Sequence, residues 1–185
     1  MIDEAIKVGK LLLEVELIDG ASGNMSFRDE KNNVVITRTG AELFNLKPED
    51  FVKIDDLNAS RDRKVHKAIY DKTNFKCVLH CHGTFNVVLS IFMREINPID
   101  LEGKMYFGSL KVVDEEFGTE KYAEKISELV AENSIAIAKA HGIYVAAKDF
   151  MQAFNLASYA EHSCKVLYLC KLLESTGFQR TLNKF

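Results

Sequence analysis

The sequence is poor in the residues that link or loosen domains. Two prolines and ten glycines among 185 residues leave little material for a flexible linker or a disordered tail. Long apolar runs are missing as well. Lys7 and Lys10 precede Leu11, Leu12 and Leu13, but Glu14 and Glu16 interrupt that run at once, so no export signal is read there. Nowhere do the ~20 consecutive apolar residues of a bilayer span occur. A large charge of one sign is also lacking: the net value is -3, which excludes the global basic field that draws nucleic acid or an anionic membrane. Paired Cys-x-x-Cys spacing is absent among the four cysteines, which excludes a cysteine zinc site; they read as small core residues of a reducing compartment. These absences together predict a cytoplasmic protein with neither a membrane nor a nucleic-acid partner.

What remains is ordinary globular material, 47% hydrophobic and 28% charged, enough for one domain over residues 1–185 with a sizeable core. Apolar spacing predicts a helix over 2–18, stopped by Asp19-Gly20. A strand over 21–28, a polar turn at Asp29–Asn33 and a strand Val34–Thr37 form a hairpin. Leu46–Asp50 reads as a helical turn before a strand at Phe51–Ile54. Further on come a helix over 62–71, a strong strand Lys76–His82 and a helix over 84–93. Then follow a short strand Lys111–Val113, an amphipathic helix Glu120–Asn133, strands Ile135–Ala138 and Ile143–Val145, and a last helix over 149–173. Interleaved helices and strands indicate an α/β fold, with the early hairpins adding antiparallel pairs.

His80-Cys81-His82 is the most informative triplet. Alternate side chains of a strand share a face, so the two imidazoles point one way, about 6–7 Å apart along the strand, while Cys77, Leu79 and Cys81 point to the other side. Two such imidazoles can grip one ion, and a catalytic zinc needs three protein ligands and one open position. His141, at a strand end before Gly142, is the third candidate. His66 and His162 fall inside helices and read as structural or surface residues. Asp62 stands four residues before His66, where it could cap a helix or serve as a carboxylate beside a metal; the residues alone leave both readings open.

Several segments in order resemble the class II aldolase/adducin family. Its Gly-Asn-x-Ser-x-Arg pattern is matched by Gly23–Arg28, its Ile-Thr-x-[Ser/Thr]-Gly by Ile36–Gly40, and its Glu-x-x-x-His-x-x-Ile-Tyr by Asp62–Tyr70, with aspartate in place of glutamate. Its Val-x-His-x-His is matched by Val78–His82, and Phe117-Gly118-Thr119 and Ala140-His141-Gly142 follow in sequence.

The resemblance implies a three-layer α/β/α domain with a mostly antiparallel central sheet. It implies zinc, or another divalent ion, on His80, His82 and His141, and Asp62 as catalytic acid/base. It also implies a phosphate pocket from Gly23, Asn24, Thr39, Gly40, Ser60 and Arg61, where backbone N–H groups and a helix N-terminus favour an anion. Arg61 replaces a family serine and would add a fork of donors. The implied reaction is aldol cleavage of a small sugar phosphate such as L-fuculose 1-phosphate, in a homotetramer with active sites at subunit borders. Methylthioribulose-phosphate dehydratase and pentulose-phosphate 4-epimerase are rivals on the same scaffold, and a non-catalytic adducin-like scaffold is a third. Two departures stand out: the carboxylate of Asp62 is one methylene short, and the family tyrosine before Phe-Gly-Thr aligns with Asp114.

Overall fold

The structure is a computed structural model and describes residues 1–181. Its centre is an eight-stranded sheet. The strands are β1 (Asn24–Arg28), β2 (Val34–Thr37), β3 (Phe51–Lys53), β4 (Cys77–Cys81), β5 (Glu95–Ile96), β6 (Leu110–Val113), β7 (Ile135–Ala138) and β8 (Gly142–Ala147), in the order β3-β2-β1-β4-β8-β7-β6-β5. All pairs are antiparallel except β6 with β7. The expected three-layer α/β/α arrangement and mostly antiparallel sheet are therefore both present, in a single α/β domain.

Alternation along β4 divides the core in two. Cys77, Leu79 and Cys81 join the larger cluster under α1 (Ile2–Glu14), α3 (Thr84–Phe92), α4 (Leu101–Tyr106) and α6 (Phe150–Ser175). Val78 joins Ala136, Tyr144 and Ala146 under α2 (Arg63–Lys72) and α5 (Glu120–Asn133). α6 turns one stripe to the sheet, burying Ala153, Ala157, Ala160, Cys164 and Leu167, spaced three and four apart. Three of the four cysteines are buried and all are free, as small core residues.

One boundary and two short elements depart from the sequence reading. The first helix ends at Glu14, not at residue 18, and Glu16 takes a positive φ of 59°. Leu17 and Ile18 keep helical spacing yet reach the core from an irregular segment, where the Leu17 carbonyl accepts from the His82 N–H at 2.8 Å. The short elements β5 and α4 were not expected; α4 is capped by Asp100, whose carboxylate accepts from the Gly103 N–H at 2.9 Å.

Close packing on the larger side depends on Gly9. A Cβ placed there would run into the backbone carbonyl of Leu43, in the 3-10 turn Leu43–Asn45, and backbone cannot swing aside as a side chain can. Gly9→Ala should therefore destabilise the protein by about 1–3 kcal/mol, the usual cost of overpacking, despite the better helix propensity of alanine. Thermal melting followed by circular dichroism measures this; an unchanged midpoint would mean that α1 does not dock so closely.

Candidate metal centre

The pairing of β4 with β1 on one side and β8 on the other puts Asn24 opposite His80 and His80 opposite Tyr144. Directly opposed residues share a face, so the three side chains form a row across the sheet beneath α2 and α5. The Tyr144 ring lies flat against the His80 ring, 3.9 Å between centroids and 10° between planes. His80 Nδ1 sits 2.9 Å from the Ile143 carbonyl. A carbonyl only accepts, so Nδ1 carries the proton and Nε2 keeps its lone pair.

His82 and His141 bring their own Nε2 atoms to that lone pair, at 2.8 and 3.3 Å from His80 Nε2. One ligand atom from each histidine lies within 4.8 Å of the others. Nitrogens sharing a tetrahedral ion at about 2.0–2.1 Å stand about 3.3 Å apart, so the three imidazoles fit a single zinc-class ion. His82 follows β4 and is anchored through its N–H to Leu17. His141 sits in the turn between β7 and β8, its N–H bonded to the Ala138 carbonyl at 3.1 Å. Ala140 there takes a left-handed φ of 54°, and its N–H is held by Ser90 Oγ of α3 at 2.9 Å. Gly142 completes the turn. A Cβ at this position would strike the Cys81 carbonyl and the His82 ring, so only glycine lets β8 draw His141 alongside His82.

Of the two readings of Asp62, the structure removes the side-chain cap. Asp62 occupies the N-cap of α2 but makes no side-chain capping bond. Its buried carboxylate turns over the strand row instead, accepting from Asn24 Nδ2 at 2.6 Å and Tyr144 Oη at 2.9 Å, with Oδ2 3.6 Å from His80 Nε2. Burial works against its charge, but the neighbouring His80 and His66 and the donors Asn24 and Tyr144 outweigh burial and hold the carboxyl below its ordinary range. Burial also keeps the imidazoles neutral: His80 falls well below its ordinary value, His82 falls to about 4, and His141 is lowered. Neutral imidazole is the ligand form.

The residues expected at a phosphate come together around the same opening. A cavity of about 240 Å³ is lined by the three histidines and Asp62, by Gly23 and Asn24, by Thr39 and Gly40, and by Ser60 and Arg61. Two of the hydroxyls have local work: Thr39 Oγ1 donates to the Ala59 carbonyl at 3.0 Å, and Ser60 Oγ accepts from the Asp62 N–H at 3.3 Å. The exposed Arg61 brings a cation to the rim. Asp114 turns away to pair with Lys139 at 2.6 Å on the surface, and His162 is exposed on α6.

Sequence reasoning missed Tyr122 and Tyr144. Tyr122 lies in the first turn of α5, and its hydroxyl is 3.0 Å from His141 Nδ1 and 3.2 Å from the Tyr144 hydroxyl. Burial pushes both phenols up, so they stay protonated. A signal existed for Tyr144: alternation through Ile143-Tyr144-Val145 puts it on the face opposite its two aliphatic neighbours.

His66 is fully buried, with Nδ1 2.6 Å from Ser26 Oγ, which in turn lies 2.9 Å from the Tyr70 hydroxyl. Burial, partly countered by Asp62, lowers its pKa to about 4. A folded value below the unfolded 6.5 means that the unfolded chain binds more protons, so stability is full above about pH 6.5 and falls as acid approaches pH 4. Between pH 7 and pH 5 this one group should remove about 2 kcal/mol. In urea titrations of metal-free protein, His66→Asn should lose about that much less than wild type over the same interval; equal losses would show that His66 titrates normally.

A family model, Class II Aldolase and Adducin N-terminal domain, matches residues 3–168. An L-fuculose phosphate aldolase from Methanococcus maripaludis is 31% identical over 180 residues, covering 92% of this chain and 98% of the relative. A 3-oxo-tetronate 4-phosphate decarboxylase from Haemophilus influenzae is 25% identical over 177 residues, covering 88% and 84%. The crystal structure of L-fuculose-1-phosphate aldolase from Thermus thermophilus superposes with a TM-score of 0.89 at 25% identity, covering 97% of this chain and 98% of that one.

Proposed function

The chain belongs to the class II aldolase and adducin family, and from that premise we propose a divalent-metal-dependent lyase, with zinc the favoured ion, that cleaves a small ketose 1-phosphate to dihydroxyacetone phosphate and an aldehyde. The observation that carries this reading is the meeting of three imidazole Nε2 atoms beside a buried carboxylate in one cavity. An adducin-like scaffold without catalysis has no use for such a set. The likeness to L-fuculose phosphate aldolases favours L-fuculose 1-phosphate or a close analogue. A cytoplasmic homotetramer with its sites at subunit borders completes the proposal.

His80, His82 and His141 would hold the ion. When bound, it supplies Lewis acidity toward a substrate carbonyl and so favours the negative charge left by C–C cleavage. Asp62 takes the proton from the hydroxyl on the carbon beyond the scissile bond; the electron pair of that bond moves toward the carbonyl, and the aldehyde departs. The enediolate of dihydroxyacetone phosphate then takes a proton at carbon from Asp62. The loops at Gly23-Asn24, Thr39-Gly40 and Ser60-Arg61 seat the phosphate, and Arg61 adds a charge-assisted contact. The shorter aspartate still reaches the centre, since its Oδ2 stands 3.6 Å from His80 Nε2.

The relative named for 3-oxo-tetronate 4-phosphate decarboxylation supports a second reading. Loss of carbon dioxide from such an acid leaves the same enediolate, so one site could serve either bond. Product analysis with each substrate class, for aldehyde or for carbon dioxide, decides between them.

Metal analysis of purified protein should find about one zinc-class ion per chain. His141→Ala should abolish retention while the melting profile stays cooperative; full occupancy in that variant would refute the ligand assignment. Asp62→Asn should keep the ion and lose at least ~10²-fold in turnover, measured by coupled detection of dihydroxyacetone phosphate. Wild-type turnover in the asparagine variant would leave Asp62 with a structural role only.

A further inference from the structure

Four polar groups form one unbroken line behind the pocket wall: His141 Nδ1, Tyr122 Oη, Tyr144 Oη and Asp62 Oδ1, separated by 3.0, 3.2 and 2.9 Å. The two phenols are almost wholly buried, at 2% and 0% exposure, so water does not compete for them. Each hydroxyl has one proton to give. Tyr144 gives its proton to the carboxylate, which only accepts. The Tyr144 oxygen is then left to accept from Tyr122, and the Tyr122 oxygen is left to accept from His141 Nδ1. With its proton on Nδ1, His141 has a free lone pair on Nε2, the atom that faces His80 Nε2.

We propose that Tyr122 and Tyr144 are positioning residues, a two-phenol bridge through which the charge on Asp62 fixes His141 in the tautomer that can bind an ion. This goes deeper into the metal reading above and rests on it. Two of the three proposed ligands are thus prepared by different means. His80 is set by the neighbouring Ile143 carbonyl, whereas His141, on a turn, is set from across the pocket by a carboxylate that it does not touch. The bridge also joins the group proposed to move protons to one proposed to hold the ion, so that disturbing either end is felt at the other.

Tyr144→Phe is the informative variant. It keeps the ring stacked on His80 and removes only the hydroxyl, which makes no hydrogen bond to any of the three histidines. Tyr122 then loses its acceptor and can turn its proton toward His141 Nδ1, which favours the wrong tautomer. Zinc affinity measured by chelator competition should weaken at least ~10-fold in Tyr144→Phe and in Tyr122→Phe, the scale seen when a ligand histidine loses its outer partner. The double variant should be no worse than the weaker-binding single variant, since both break the same line. Imidazole 15N spectra of the metal-free protein should show His141 protonated at Nδ1 in wild type and shifted toward the Nε2-protonated form in Tyr144→Phe. Unchanged affinity in Tyr144→Phe, additive losses in the double variant, or an unaltered His141 tautomer would each overturn the bridge. A wild-type protein that takes up no zinc would refute the metal reading instead, while the metal-free spectra would still decide the bridge.

Discussion

The structure depends on the register of three neighbouring strands. With β4 held between β1 and β8, residue 80 must face residue 24 on one side and residue 144 on the other. A slip of one residue in either pairing would turn its partner to the opposite face of the sheet, among the aliphatic side chains packed under α1 and α6. The apolar demand of that larger core, met by Leu79, Cys81, Ile143 and Val145, therefore fixes where the polar row stands. Packing on one side of the sheet positions chemistry on the other.

That chemistry is concentrated in a place that disfavours charge. Asn24, Ser26, Asp62, His66 and His80 are all buried, and a polar group without a partner there costs about 1–3 kcal/mol. The network meets most of this demand by sharing: Asp62 accepts from both ends of the strand row, and Ser26 joins His66 to Tyr70, while Asn24 Oδ1 and His66 Nε2 are left without a partner. The single negative charge is surrounded by donors, and the imidazoles stay neutral because burial opposes a positive charge more strongly than Asp62 favours it. Neutral imidazole is the form in which histidine can bind a metal ion.

Much of this was readable in the chain. The His-x-His pair follows from strand alternation alone, and α5 follows from its apolar spacing; the structure adds its Thr119 cap, whose side chain accepts from the Tyr122 N–H. The end of α1 was misplaced because Leu17 and Ile18 satisfy helical spacing while being buried from a non-helical segment; periodicity reports burial, not backbone. α4 escaped notice because six residues are too few to establish a period, and its Met105 and Tyr106 are exposed. The role of Asp62 was open because a capping aspartate and a buried one have the same local sequence. What separates them is Tyr144, 82 residues away. Tyr122 was hidden for the same reason, since its partners lie on β8 and in the turn before it.

The three histidines differ in what carries them. His80 and His82 ride on a central strand and its immediate end, whereas His141 rides on a hairpin turn whose left-handed Ala140 is tethered to Ser90. Strand pairing therefore places two of the imidazoles, while the third is placed by a turn and by one hydroxyl on a separate helix. Loss of the Ser90 hydroxyl would leave the Ala140 N–H without that partner and shift His141 relative to a pair that stays where the sheet puts it.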